Sequence, residues 1–191
     1  MCLLFEVPAG DPPGCLDGDL GLLGDLTWQL VREPDYEERL TRVLAAVEGE
    51  VSYDFTLVDT PPGVGLWPGL ALLTAHAVVI PTRPHDSDVM ATGKLCDYLD
   101  TEIRPRNPDL RVLGALVTQA GRRWRLLDVT RRRLELDRID TFAADVPAAV
   151  AVAAAPRTGR PTFWLEPDGK VAYAYRAVAS EITAKLDRVA A

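Results

Sequence analysis

The sequence predicts an α/β fold, a mainly parallel sheet flanked by helices, and three observations predict it. Short apolar runs (Phe55–Val58, Ala77–Ile80 and Val112–Thr118) alternate with longer stretches of helical periodicity. Most of these runs stop at a turn signal, as Val58 does at Asp59-Thr60-Pro61-Pro62-Gly63 and Ile80 at Pro81. The spacing from one strand to the next leaves room for a helix, which a right-handed crossover between parallel strands requires.

Residues 8–25 are rich in Pro, Gly and Asp and are expected to form a loop leading into a short helix around Leu20, Leu22, Leu23 and Leu26. Leu40, Val43, Leu44 and Val47 repeat at i, i+3, i+4 and i+7, predicting an amphipathic helix over 36–47. Phe55–Val58 is expected to be a buried strand, followed by a short helix over 66–75 and a strand over 77–80. A helix is predicted over 87–103, ending before Pro105, and a third strand over 112–118. An arginine-decorated helix follows over 124–137, then a weak strand at 139–142 and a short Ala-rich helix over 147–155, bounded by Pro156. The closing helix spans 170–189.

A chain of 191 residues is expected to form one domain, and its 48% hydrophobic and 26% charged residues are ordinary for a globular protein. The net charge of -7 disfavours a surface that binds nucleic acid all over, while leaving a local basic patch open. Cys2, Cys15 and Cys96 show no ligand spacing, so reduced thiols in a cytoplasm are expected rather than a disulfide framework or a metal site. No apolar run approaches the roughly 18 residues of a membrane span. His76 and His85 are expected at a helix end and in a loop, without catalytic roles.

The most informative feature is Asp59, a carboxylate delivered by an apolar strand into the turn Thr60-Pro61-Pro62-Gly63. Ligands in open α/β sheets bind at the carboxyl ends of strands. The alternative is a carboxylate that merely caps the turn. Nowhere do the 191 residues contain G-x-x-x-x-G-K-[ST]; Gly-Lys occurs at Gly93-Lys94 and Gly169-Lys170, neither followed by Ser or Thr. A polyphosphate needs a nest of backbone N–H groups and a lysine, which Asp59 cannot replace.

Tyr53–Gly65 resembles the switch II segment of the ParA/MinD/Soj family of deviant P-loop ATPases. Val7-Pro8-Ala9, Ala77–Pro81, Leu113–Thr118, Ala153–Pro161 and Ala172–Arg176 resemble further family segments in the same order. The resemblance covers only the part downstream of the family's phosphate loop. It implies a P-loop NTPase-like fold of SIMIBI type, present as a single domain over 1–191 truncated at its N-terminus. The family's Ile-Pro-Arg-Asn step near the nucleotide base reads Val146-Pro147-Ala148-Ala149 here, without its polar side chains.

By that resemblance Asp59 would act on the Mg²⁺-water shell, and Thr60, Pro61, Pro62, Gly63 and Pro147 would lie against nucleotide. The family is an ATPase acting in chromosome or plasmid partitioning, with ATP and Mg²⁺ as cofactors, dimers, a ParB-like partner and non-specific DNA. For this chain alone no bound cofactor and no ATP hydrolysis are expected. Two alternatives are a nucleotide-independent module that pairs with an intact relative or with DNA, and a non-functional remnant. Arg122, Arg123, Arg125, Arg131, Arg132 and Arg133 form the dense basic cluster that would face DNA. Equally open is a solvated helix face whose arginines pair with Asp128, Glu135 and Asp137. Trp67, Trp124 and Trp164 are expected to fill core or rim gaps.

Overall fold

The computed structural model describes residues 2–6, 35–50, 55–121 and 124–187. The expected loop and helix over 8–25, the Val7-Pro8-Ala9 step, Cys15, Arg122 and Arg123 lie outside the described residues. The chain forms two compact units, Met1–Val78 with Leu99–Arg111, and Val79–Tyr98 with Val112–Ala191.

In the first unit, β1 (Cys2–Glu6) pairs antiparallel with β2 (Phe55–Asp59), placing Cys2 opposite Asp59 and Glu6 opposite Phe55. The sequence reading did not foresee β1, because five apolar-rich residues give too short a pattern to separate strand from coil. The antiparallel pair also departs from an all-parallel arrangement. β2 stands at the end of the strand order, and Leu57 is 63% exposed, so β2 is an edge strand rather than a strand buried on both faces.

Helix α1 (Tyr36–Glu50) packs on α2 (Leu66–Thr74), where the Thr41 and Thr74 hydroxyls are 3.1 Å apart. Leu70, Ala71 and Leu72 of α2 are buried. The Asn107 side-chain amide donates to the carbonyls of Leu72 and Ala75 at 2.9 Å each, satisfying two of the last acceptors of α2.

The second unit holds most of β3 (Ala77–Thr82), together with α3 (Asp86–Tyr98), β4 (Arg111–Ala120) and β5 (Val146–Pro147) in the strand order β3-β4-β5. β4 and β5 are parallel, pairing Thr118 with Val146 and Ala120 with Pro147. The helix predicted over 87–103 divides into α3 and a π-helical turn over Leu99–Ile103, closed by Arg104 N–H donating to Leu99 O at 2.8 Å. The weak strand at 139–142 is reduced to one parallel bridge, Ala115 to Thr141. Pro147 belongs to β5 and not to the Ala-rich helix, which is α5 (Val150–Thr158) and runs through Pro156 in place of stopping there. Proline at the seventh position of this nine-residue helix removes the N–H that would donate to the carbonyl of Val152, and the helix ends two residues later.

Helix α4 (Trp124–Leu136) packs on α3, and Val89, Ala115, Leu134 and Ile139 form a buried cluster with Cys96 against it. The Thr82 and Thr92 hydroxyls meet inside this unit at 2.8 Å, and Thr92 also donates to Asp88 O. Short α6 (Thr162–Leu165) leads to α7 (Lys170–Asp187), which packs on β5 and buries Val171, Ala172 and Val178.

Candidate functional site

Asp59 ends β2, and its side chain stands exposed at the start of the turn. Among the described residues nothing hydrogen-bonds its carboxylate, and α2 begins at Gly65 without a side-chain cap. Among the described residues Asp59 therefore does not cap α2. Thr60 is buried, whereas Pro61, Pro62 and Gly63 are exposed. Gly63 has φ +100°, a conformation that L side chains rarely adopt, so the turn that follows Asp59 depends on glycine there.

The other predicted residues belong to the second unit. Pro147 is half-buried in β5, next to a bulge in β4 where the ladder shifts between Thr118 and Ala120. Gln119, at that bulge, has φ +53°. Bulges of this kind re-aim side chains at the rim of a sheet.

The arginine cluster divides. Arg125 and Arg132 are exposed on α4, seven residues apart and so on one line of the helix. Arg133 pairs with Asp137 at 3.3 Å, the i, i+4 partner expected from the sequence. Arg131 turns elsewhere. Its Nη2 lies 2.5 Å from Asp145 Oδ1 and donates to Ala143 O at 3.0 Å, so its partner is neither Asp128 nor Glu135. From α7, the Glu181 carboxylate accepts the backbone N–H groups of Ala143 and Ala144 at 3.0 and 3.1 Å. Lys185 pairs weakly with Glu181 and lies 5.0 Å from the Phe142 ring centre. Residues 143–145, which lead into β5, are thus held from two helices. Asp145 and Glu181 were not found from the sequence, because neither sits at a motif or at helical spacing from its partner.

His76 is exposed at the end of α2 and His85 in the loop before α3, as expected. Trp164 is not a core residue: it is 59% exposed and stacks edge-on with Phe163 at 6.1 Å. The four-residue helix that carries it is too short to bury both of its aromatics. The side chain of Trp124 lies outside the described residues.

Residues 21–112 match the AAA domain family. The chain is 29% identical over 157 residues to the sporulation initiation inhibitor protein Soj of Bacillus subtilis, covering 82% of this chain and 61% of that protein. It is 30% identical over 135 residues to the chromosome-partitioning ATPase Soj of Thermus thermophilus, covering 70% of this chain and 54% of that one. The chromosome partitioning protein ParA of Myxococcus xanthus is 27% identical over 155 residues, 81% of this chain and 54% of the relative. The chain is thus similar to members of the ParA/MinD/Soj family. It spans about three fifths or less of the length of these relatives.

The fold of the family is matched as well. The cell division ATPase MinD of Pyrococcus furiosus superposes with a TM-score of 0.58 at 22% identity, covering 77% of this chain and 58% of that one. Cobyrinic acid a,c-diamide synthase of Mycobacterium smegmatis gives a TM-score of 0.60 at 24% identity, covering 72% and 61%. That synthase has also been solved with an ATP analog and magnesium and with ADP and magnesium. In this chain, no three His, Cys, Asp or Glu side chains come together as a metal site among the described residues. Asp59 would bring a single carboxylate to such an ion. No helix among the described residues is long and apolar enough to cross a membrane.

Proposed function

We propose that this chain is a ParA-like partitioning protein of the chromosome or plasmid segregation type, and that these 191 residues alone do not hydrolyse ATP. The observation that supports this reading is Asp59, exposed and without a hydrogen-bond partner among the described residues, at the carboxyl end of β2 and before a turn that needs Gly63. A carboxylate left open at a strand end is placed to orient the water shell of a metal brought by a bound nucleotide. ATP and Mg²⁺ would then enter only together with a phosphate-gripping loop, supplied by further polypeptide or by an intact relative in a dimer. A ParB-like partner and a cytoplasmic setting belong to the same reading.

Titration calorimetry of the purified 191-residue chain with Mg²⁺-ATP tests it. No binding heat is expected at millimolar nucleotide. Tight, magnesium-dependent binding, abolished by Asp59→Ala, would sink the claim that this segment cannot hold nucleotide alone.

A second reading, a nucleotide-independent module that anchors on DNA, is favoured by Arg125 and Arg132, which line the outer face of α4. A salt-sensitive mobility shift with random duplex DNA supports it, and its absence at low salt removes it.

A further inference from the structure

We propose that Asp145 is a built-in counter-ion that masks Arg131, so that the DNA-facing side of α4 holds one more phosphate contact than its free surface offers. This rests on the reading of α4 as a DNA-facing helix. Arg131 is committed to another part of the fold, through the 2.5 Å contact with Asp145 Oδ1 and the 3.0 Å bond to Ala143 O. The pair is accessible, with the two side chains 26% and 28% exposed. An incoming phosphate therefore meets the same guanidinium edge that Asp145 now occupies, and the two anions compete for it.

Two features suit the pair to exchange. Arg132, the next residue along, is exposed, so a phosphate backbone that engages it runs past Arg131 on the flank of the same helix. The loop also has a second tether, since Glu181 of α7 accepts from the N–H groups of Ala143 and Ala144. Releasing Arg131 from Asp145 leaves that tether and the β4–β5 pairing in place. Exchange of the guanidinium from one anion to the other thus leaves residues 143–147 anchored.

The test is fluorescence anisotropy of a labelled random duplex titrated with the full chain across a salt series. The variants are Asp145→Asn, Asp145→Asn with Arg131→Gln, Arg132→Ala and, as a general charge control, Asp168→Asn on the exposed turn before α7. Asp145→Asn is expected to tighten binding at low salt by about three- to tenfold and to steepen the log–log salt slope by about 0.9, the increment of one added phosphate contact. Adding Arg131→Gln should cancel both changes, and Asp168→Asn should leave the slope where it was. Thermal melting of each variant identifies any loss of fold. Should Asp145→Asn bind as the wild type does while Arg132→Ala weakens binding, the mask is refuted and the DNA reading stands. An equal gain from Asp168→Asn also refutes it, by reducing the effect to net charge. Should no variant bind duplex DNA even at low salt, both the mask and the DNA-facing reading fall.

Discussion

At Gly114 one missing carbon sets the path of a strand. Its φ is +120°, and a Cβ built there would stand 2.6 Å from the backbone oxygen of Asp140. That same oxygen accepts the Ala115 N–H at 2.7 Å, and Phe142 N–H returns to Ala115 O at 3.0 Å, so the carbonyl has no freedom to retreat. Gly114→Ala combines a disfavoured backbone conformation with a clash against backbone, and is expected to destabilise the fold by about 2 to 4 kcal/mol in urea denaturation. A loss under about 0.5 kcal/mol would mean that the 139–142 segment yields, contrary to its double pairing. The sequence displays Leu113-Gly114-Ala115 only as an apolar run containing a glycine. What the glycine is for depends on a carbonyl 26 residues along the chain, and no local pattern reports it. Asp59 is the opposite case, because strand, acid and Pro-Pro-Gly turn are adjacent in sequence and the site could be read directly.

Elements with a strong period were legible, and elements defined by contact were not. The helices Tyr36–Glu50 and Trp124–Leu136 lie where their patterns put them, since 3.6-residue periodicity persists over several turns. β1 and β5, with five and two residues, are strands because of their partners, and so escaped or were misassigned. Among junctions, the Arg83–Asp88 pair joins the end of β3 to α3, with Nε 2.5 Å from Oδ2. Its hydrogen bond to Arg83 is the main influence holding the Asp88 carboxyl below its ordinary value, with burial opposing. A carboxylate with a lowered folded-state pKa binds fewer protons in the native than in the unfolded chain at mildly acid pH. The stability it contributes is therefore present above about pH 4 and is lost as pH falls through the folded value. Arg83→Gln should lower the denaturation midpoint at neutral pH, and its curve should converge on the wild-type curve in acid. Parallel curves across the whole range would show that the pair does not couple to folding.

For the molecule as a whole, charge argues against indiscriminate binding to DNA. Lys and Arg number 21 against 28 Asp and Glu, a net charge of -7. Any affinity for a duplex therefore has to come from a local face working against a repulsive remainder, and salt weakens both effects. The sequence showed the density of the arginine cluster but not its use. Among the described residues, Arg131 is engaged by Asp145 and Arg133 by Asp137, while Arg125 and Arg132 are exposed along α4. Two or three phosphate contacts correspond to a log–log salt slope between about -2 and -3, at roughly 0.9 per contact. Binding measured at 50 mM salt should then fall by about 15- to 65-fold at 200 mM, beneath the range of a stand-alone DNA anchor. A slope steeper than about -6 would require most of the cluster to touch phosphate at once. That result would contradict the division of the arginines between ion pairs and surface, because Arg131 and Arg133 cannot keep their carboxylate partners and serve the duplex together.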